Sequence, residues 1–343
     1  MKLDYLIVGG GPAGAWFARL ASDRGYRVMV VDAMEPGGKV CGGAIPELYV
    51  EQVGRVDPDS VLVEVRGFRV YLDGELLWSQ EGRRWGYLLD KKRFIASILE
   101  GVDVKKYTVF DFRSRRVPGV EAVWERLVVA AGPLAPGYRG DRIYAVQGVY
   151  RGGFEEGVIE IHFDSRLVGY YWVFPHSPRE ARIGVGGYGS PVEFLSMLNE
   201  FVKRLNVEQV EAPKGSYINI GGVNWNLVYS ETVHVGEAAG FVYPVTGEGI
   251  RPAALSAKLV FRMLEGDKSA RRELEKLGRS IEVQRKLLDY VKSASPEARA
   301  RFMRRMGGSL AMRIALGDLG AAEKILSLLP GRIASILARL LVR

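Results

Sequence analysis

The segment GGGPAG, residues 9–14, constrains this chain more than any other feature. It follows the apolar run KLDYLIV and precedes a stretch with helical character, which places it at a strand-to-helix turn. Gly9 permits the sharp turn, Gly11 lets the backbone approach a pyrophosphate, and Gly14 allows close packing of helix on strand. A second buried strand, YRVMVVD, follows the helix, so the pattern predicts a parallel sheet that binds a dinucleotide.

A carboxylate at the end of the second strand supports this prediction. Asp32 lies 18 residues after Gly14, where an acidic side chain can accept hydrogen bonds from the ribose hydroxyls. Pro12 and Ala13 complete the turn at the start of the helix, and we include both among the predicted cofactor-binding residues.

A second glycine-containing segment, VHVGEAAGFVYPVTGEGI at 233–250, bears on the choice between FAD and NAD. It resembles the second FAD signature of the p-hydroxybenzoate-hydroxylase-like flavoproteins, in which an acid holds the ribityl chain and a glycine turn meets the isoalloxazine edge. Glu237 stands where that family usually has aspartate, and Gly247, Gly249 and Ile250 match the turn. The two signatures lie more than two hundred residues apart, and an NAD enzyme with one fingerprint would not need the second.

Two further segments narrow the resemblance to the geranylgeranyl reductase family. Lys39, Cys41 and Gly42 in KVCGGAI match its Lys/Arg-x-Cys-Gly segment. Its Tyr-x-Trp-x-Phe-Pro segment, which lies over the flavin and the substrate cavity, is matched by Tyr170, Trp172, Phe174 and Pro175.

Shorter matches support the same family. Lys91 in DKKRF occupies the position of an arginine in the family's Asp-Arg-x-x-Phe. Ala131 and Gly132 in VVAAG resemble the strand end that passes the adenine side of FAD. The resemblance runs from residue 1 to about residue 265, and the last eighty residues match only loosely.

The segment YYWVFP, residues 170–175, contains four aromatic rings and is predicted to be a strand. Side chains of a strand alternate between its faces, so Tyr170, Trp172 and Phe174 should share one face. The resemblance implies that this face holds an apolar polyisoprenoid against the flavin. An ordinary aromatic strand in a sheet core is the alternative, and flavin halogenases have a similar aromatic-proline segment.

Cys41 is the only cysteine, which excludes disulfides within the chain and any site built on several thiolates. Its glycine neighbours and the family match suggest a site role, either in relaying a proton to the substrate or in shaping the cavity; a small buried hydrophobe is the alternative. Together with Tyr170, Trp172 and Phe174, Cys41 is predicted to form the catalytic group. His162, His176 and His234 are scattered, and we predict no metal site.

The resemblance implies an FAD-dependent reductase that saturates C=C bonds of a polyisoprenoid (geranylgeranyl) lipid by hydride transfer from N5 of reduced flavin, in archaeal-type membrane lipid biosynthesis. The electron donor is undetermined among ferredoxin, NAD(P)H and reduced flavin. An FAD-dependent monooxygenase or halogenase acting on an apolar or aromatic substrate is one alternative. A non-catalytic isoprenoid-binding escort protein is another.

The predicted fold class is α/β with α+β elements. A Rossmann-like FAD-binding domain with a parallel sheet would comprise residues 1–60, 85–135 and 225–265. It would be interleaved with an antiparallel β-sheet substrate domain at 61–84 and 136–224, followed by a helical region at 266–343. The hairpin FRVYLDGELLW, with Asp73 and Gly74 at its turn, belongs to the second domain. A second G-x-G-x-x-G, GVGGYG at 184–189, lacks a following buried strand with a carboxylate at the right spacing, so we interpret it as a crowded strand end near the cavity and not as a nucleotide site.

The formal charge of +8 is concentrated near the C-terminus. Residues 260–343 contain 18 Lys and Arg against 9 Asp and Glu, a net of +9, whereas the remainder contains 30 against 31, a net of −1. Solvated helix faces or attraction to an anionic membrane surface both explain this excess, and no nucleic-acid motif is visible. The segment 331–343 places five aliphatic residues on one stripe of a helix.

The expected location is the cytoplasm, with possible peripheral attachment to a membrane. The N-terminus lacks the basic region of a signal peptide, and the single cysteine fits a reducing compartment. Asn and Gln total only ten residues, a tendency of proteins from thermophiles.

Overall fold

The computed structural model describes residues 2–106, 122–321 and 331. The strands are β1 (Lys2–Val8), β2 (Val28–Asp32), β3 (Ala44–Pro46), β4 (Val61–Leu72), β5 (Glu75–Leu89), β6 (Asp103–Lys106), β7 (Val123–Val129), β8 (Arg142–Arg151), β9 (Val158–Phe163), β10 (Gly169–Pro175), β11 (Glu180–Gly187), β12 (Glu208–Asn219) and β13 (Val233–His234). The α-helices are α1 (Pro12–Asp23), α2 (Leu48–Gln52), α3 (Lys91–Ile98), α4 (Pro191–Leu205), α5 (Trp225–Val228), α6 (Ile250–Leu264), α7 (Lys268–Ser293), α8 (Pro296–Met306) and α9 (Gly308–Ala315). Short 3-10 helices lie at Pro58–Ser60, Gly132–Leu134 and Gly236–Ala239.

Sheet A has five strands in the order β13-β7-β1-β2-β6, and all its paired strands are parallel. The central strands β1 and β2 contribute apolar side chains to two core clusters, one on each face of sheet A. Parallel sheets are normally covered on both faces in this way. Helices α1 and α6 cross one face and supply much of the largest core cluster. The predicted Rossmann-like parallel sheet is therefore confirmed.

Sheet B has eight strands in the order β12-β8-β11-β10-β9-β4-β5-β3. Its β4–β5 hairpin turns at Asp73 and Gly74, which have φ of 53° and 89° as a type I′ turn requires. The hairpin strands are much longer than the predicted segment 68–78. One pair, β4 and β9, is parallel, because the chain leaves sheet B after β5 and β9 returns alongside β4.

The two faces of β10 differ in the way that the alternating sequence predicts. Tyr171 and Val173 point into the core between sheet B and α4, where the Tyr171 ring lies 4.6 Å from the ring of Phe201. On the opposite face, the rings of Tyr170 and Trp172 are 6.0 Å apart, and those of Trp172 and Phe174 are 6.3 Å apart. The shared face of the three aromatic residues is thus confirmed.

The first four residues of the second glycine motif lie in β11, and its last two, Tyr188 and Gly189, lead to α4, which begins at Pro191. A Cβ at Gly184 would overlap the indole of Trp172 on the neighbouring strand, so this glycine makes room for the aromatic ring. The predicted crowding of this strand is confirmed, whereas its position near the cavity stays a prediction. The sequence did not predict β12, a polar edge strand in which register shifts disturb the alternation.

Helices α7, α8 and α9 confirm the helical C-terminal region as far as residue 315. The amphipathic segment predicted at 331–343 lies outside the described residues, apart from Gly331.

Candidate active site

The glycines of the first segment differ in whether the protein leaves room for a side chain. Gly9 has φ of +106°, and a Cβ there would overlap the carbonyl oxygen of Ala130 at the end of β7. A Cβ at Gly14 would overlap the carbonyl oxygen of Gly9. Gly11, in contrast, has nothing within 4 Å of the position its Cβ would take. The fold itself therefore requires Gly9 and Gly14, whereas Gly11 borders open space at the N-terminus of α1.

Asp32 fastens this turn to the loop after β2. Its Oδ2 accepts a hydrogen bond of 2.5 Å from the backbone N–H of Gly10, and its Oδ1 accepts one of 2.9 Å from Met34. The first residues of α1, Pro12 and Ala13, stand at the same end of sheet A. These contacts place the predicted adenosine-side residues together at the carboxyl ends of parallel strands, where α/β sheets bind ligands.

Glu237 joins the second signature to three other parts of the chain. Its Oε2 accepts from Lys39 Nζ at 2.7 Å, and its Oε1 accepts from the backbone N–H of Asn219 at 3.0 Å. Gly132, which follows Ala131 after β7, lies next to this carboxylate, since a Cβ on Gly132 would be 3.6 Å from Oε2. Two residues predicted separately to hold the cofactor, Lys39 and Glu237, therefore form an ion pair with each other.

The second glycine turn precedes α6. Gly247 has φ of +66°, and its N–H donates to the carbonyl oxygen of Tyr243 at 2.8 Å. A Cβ on Gly249 would meet only Val242, at 3.7 Å, so the backbone here is open to close approach. Ile250, the first residue of α6, directly follows the turn and is buried in the largest core cluster, which fixes the end of the turn to the core.

Arg251 supports this turn, and sequence reasoning missed it. The side chain is 1% exposed, and its guanidinium forms a bidentate ion pair with Glu248, with both N···O distances at 2.8 Å. It also donates to Gln52 at the end of α2 and to the carbonyl oxygen of Leu316 after α9. An arginine directly after a glycine turn that contains a glutamate is the signal that could have indicated it.

The aromatic row, defined as Tyr170, Trp172 and Phe174, extends between the two predicted cofactor segments. The Tyr170 hydroxyl donates to the carbonyl oxygen of Thr246, one residue before the glycine turn. At the other end, the Phe174 ring lies 2.8 Å from where a Cβ of Gly42 would be, so it packs directly on the backbone beside Cys41. Burial raises the pKa of Tyr170, which keeps its hydroxyl protonated as a donor.

Cys41 is half-buried in the loop between β2 and β3. Its Sγ accepts a hydrogen bond of 3.4 Å from the N–H of Gly43. Lys91, the first residue of α3, donates to the carbonyl oxygen of Lys39 in the same loop, and burial lowers the pKa of Lys91. Gln147 and Arg182 of sheet B also bind this loop, although sequence reasoning did not identify either residue.

These residues fit FAD. Open space borders Gly11, and several residues next to the predicted cofactor segments carry buried polar atoms without partners among the described residues, including Trp172 Nε1, Gln147 Oε1 and Asn219 Oδ1. Buried polar atoms normally have partners, so such a group beside open backbone indicates a site that a polar ligand completes. The part of the chain that the structure describes contains no cluster of three or more His, Cys, Asp or Glu side chains suited to a metal.

We compared the chain with known protein families and with related proteins. The NAD(P)-binding Rossmann-like domain family matches residues 7–54, which contain the first glycine segment and Cys41. Digeranylgeranylglycerophospholipid reductase 1 of Methanopyrus kandleri is 28% identical, with 76% of this chain and 79% of the relative covered. Digeranylgeranylglycerophospholipid reductase of Methanothrix thermoacetophila is 26% identical, over 73% of this chain and 74% of the relative.

Solved structures share the fold over nearly the whole chain. A geranylgeranyl bacteriochlorophyll reductase-like protein from Thermoplasma acidophilum superposes with a TM-score of 0.76 at 18% identity, covering 99% of each chain. A variant of a flavin-dependent brominase superposes with a TM-score of 0.67 at 16% identity, covering 98% of each chain. At such identities the likeness establishes the fold alone.

The chain is an FAD-dependent oxidoreductase, with FAD as its cofactor. Its motifs, its fold and its relatives named digeranylgeranylglycerophospholipid reductase together confirm the resemblance to the geranylgeranyl reductase family. No helix in the described part of the chain is long and apolar enough to cross a membrane.

Proposed function

We propose that this protein saturates C=C bonds of a polyisoprenoid lipid of the geranylgeranyl class, in the synthesis of archaeal-type membrane lipids. The substrate class comes from the relatives in Methanopyrus kandleri and Methanothrix thermoacetophila, whose names describe the reduction of digeranylgeranylglycerophospholipids. We also propose that residues 1–60, 85–135 and 225–265 form the FAD unit, with 61–84 and 136–224 as the substrate unit and 266–343 as a helical region.

One observation carries the proposal. The aromatic row spans the distance from the Gly247 turn to the Cys41 loop, so an apolar wall lies between the two segments assigned to the flavin. Trp172 is only 9% exposed, and the rings of the row, inclined to one another by 63° and 40°, form a continuous apolar surface on one face of β10. A prenyl chain has no polar groups to satisfy and gains mainly from such burial.

In this proposal the chain's own residues bind, orient and exclude water. Tyr170, Trp172 and Phe174 hold the prenyl chain in register along β10, which reduces the entropy that alignment costs. Lys39, Lys91, Glu237 and the two glycine turns hold the cofactor. When bound and reduced, FAD supplies the hydride that a C=C bond requires. Cys41 lies beside the row, where it can pass a proton to the other carbon or shape the cavity around it.

An anaerobic assay with reduced protein and a geranylgeranylated phospholipid tests this function. We expect the lipid mass to rise by two hydrogens for each bond saturated, with no oxygen or halogen incorporated. Trp172→Leu should retain FAD and lose most of this turnover. Part of the effect will be structural, because replacing a buried indole costs about 3–5 kcal/mol in the extreme case of Trp→Ala.

Tyr171→Leu is the matched control, since Tyr171 lies on the same strand, is equally buried at 6% exposure and faces the opposite core. It should reduce the melting temperature while turnover per folded, FAD-loaded molecule stays near the original value. Equal losses of turnover in both variants would remove the aromatic row as the substrate wall. Incorporation of oxygen or halide into an apolar substrate, with no hydrogenated lipid, would support the monooxygenase or halogenase alternative.

We also propose an external electron donor, which the same assay can identify by supplying ferredoxin, NAD(P)H or free reduced flavin in turn. Attachment to an anionic membrane surface would bring the protein to its lipid. The described helix α8 is rich in arginine, which is consistent with such attachment.

A further inference from the structure

The loop that carries Cys41 is held by its carbonyl groups. Three side chains from three separate elements bind three of its carbonyl oxygens: Lys91 on α3 donates to Lys39, Gln147 on β8 donates to Cys41 at 2.9 Å, and Arg182 on β11 donates to Gly42 at 2.9 Å. Arg182 donates a second bond of 2.9 Å to the carbonyl oxygen of Leu89 at the end of β5. The segment Lys39–Gly43, called here the thiol loop, is therefore clamped from both sheet B and α3.

Two of the three side chains in the clamp are cations, and burying a cation costs more free energy than burying a neutral donor. Arg182 and Lys91 lie mostly out of solvent, and burial lowers the pKa of each. Among the described residues, no carboxylate lies within 4.0 Å of either cation, so their hydrogen bonds go to backbone carbonyls. Acidic groups act on them only at longer range, Glu237 on Lys91 and Asp90 on Arg182. Buried charges without a contacting counter-ion are unfavourable for folding, which indicates that this arrangement serves the position of the loop more than overall stability.

The clamp also restricts the thiol. Gly43 has φ of +77°, and a Cβ there would overlap the guanidinium of Arg182, so the loop and this arginine are fitted to each other. On the cavity side, Phe174 packs on Gly42, and the N–H of Gly43 donates to Cys41 Sγ. Gln147 presents a buried Oε1 without a partner among the described residues, 3.9 Å from the Cβ position of Gly42.

We propose that Gln147 and Arg182 are positioning residues that act through the thiol-loop backbone and fix the direction of the Cys41 thiol beside the aromatic row. Neither residue needs to touch the substrate. The proposal rests on the proposed function only for the consequence in catalysis. The conformational part holds for any reaction that this flavoprotein carries out.

Because Cys41 is the only cysteine, alkylation by iodoacetamide reports on this loop alone. The experiment measures the alkylation rate of the full chain, with and without FAD, in Arg182→Met and Gln147→Met. We expect each rate to rise about tenfold, as local opening of a loop exposes its side chains. Arg182→Lys keeps one donor and should restore part of the protection.

Two control variants separate positioning from general loss of stability. Arg151→Met removes an arginine from β8 that pairs with Glu180 and does not bind the thiol loop, so alkylation should stay unchanged. Phe194→Leu weakens the fully buried core under sheet B, away from the thiol loop. Its alkylation should rise less than in the clamp variants at equal loss of melting temperature. Alkylation within twofold of the original rate in folded Gln147→Met, or an equal rise in Phe194→Leu, would overturn the proposal.

The lipid assay adds a separate reading. If the proposed function holds, the clamp variants should lose kcat for C=C reduction with little change in KM for the lipid, since the wall that binds the prenyl chain is intact. Absence of any lipid reduction in the original protein, together with increased alkylation in the variants, would reject the proposed function and leave the positioning role standing.

Discussion

At the scale of single residues, glycines at neighbouring positions have different requirements. Gly9 and Gly14 are dictated by contacts inside the protein, because a Cβ on either would overlap a backbone carbonyl. Gly11 faces open space, so no contact with the described residues requires glycine there, and the predicted approach of a pyrophosphate is the role we assign to it. The difference makes it possible to separate cofactor binding from folding with substitutions only three residues apart.

Gly11→Val should therefore fold and fail to bind FAD. An added Cβ has no heavy atom within 4 Å, and the valine side chain would occupy the space that a pyrophosphate would need. We expect a melting temperature within a few degrees of that of the FAD-free original, and purified protein without flavin absorbance. Gly14→Val is the contrast, and it should be poorly folded because its Cβ overlaps Gly9. Yellow Gly11→Val with full FAD content would contradict the assignment of this turn to the cofactor.

Asp32 illustrates a residue with both a structural and a predicted binding role. Both its carboxylate oxygens already accept backbone hydrogen bonds. Asp32→Ala should therefore lower both FAD affinity and the stability of the FAD-free protein, by roughly 1–3 kcal/mol for the unsatisfied groups. Titration of the FAD-free variant with FAD and a denaturant melt measure the two effects. A large loss of FAD affinity with unchanged stability would show that the backbone contacts contribute little.

At the scale of elements, the same two side chains bind both the C-terminal end of α9 and the segment that contains the second glycine turn. Gln284 on α7 accepts from the N–H of Val245 at 3.2 Å and donates to the carbonyl oxygen of Ile314 at 2.6 Å. Arg251 in turn binds Glu248 and the carbonyl oxygen of Leu316. The C-terminal helices, which match the family only loosely in sequence, thus contribute directly to the position of the second glycine turn.

Arg251→Met should disturb both the second glycine turn and the end of α9, because Arg251 binds both. Removing one partner of a buried ion pair leaves Glu248 without its counter-ion and costs about 3–5 kcal/mol. We expect weaker FAD binding and faster amide hydrogen exchange at residues 308–317. Arg271→Met, which removes an exposed pair with Glu275 on α7, should change neither quantity. Weaker FAD binding without faster exchange at 308–317 would place the effect in the turn alone.

At the scale of the whole molecule, charge is segregated along the chain. The last 84 residues carry a net charge of +9, whereas the first 259 carry −1. Some of these cations already pair with acidic residues of the first 259, such as Arg304 with Glu75 and Lys292 with Asp141. Internal pairing therefore reduces, without cancelling, the positive field that the composition suggests.

The full chain should bind liposomes that contain anionic lipid and should dissociate as salt increases. The reason is screening, since the Debye length falls from about 10 Å at 0.1 M to about 3 Å at 1 M ionic strength. Co-sedimentation with anionic and neutral liposomes across this range measures the effect. Equal binding to both kinds of liposome, or binding insensitive to salt, would leave the excess charge as a solvated surface.

The sequence alone was sufficient for features that are local in the chain. The glycine turn after β1, the alternation of β10 and the I′ turn at Asp73 and Gly74 each depend on a few consecutive residues, so their patterns predicted them correctly. The parallel sheet followed from the strand–helix–strand order, and FAD followed from two motifs whose resemblance to flavoproteins is specific.

Tertiary structure decided which distant side chains meet. Arg182 and Gln147 look like ordinary polar residues in strands, and only the order β8-β11-β10 and its register bring them to the loop that carries Cys41. Arg251, near the start of α6, binds Gln52 at the end of α2 and the carbonyl oxygen of Leu316 after α9. The contacts of Gln147 and Arg182 with the thiol loop join residues more than a hundred positions apart, so no local pattern encodes them. The physical reason is that hydrophobic burial has no direction, and polar partners are therefore fixed only once the elements have packed.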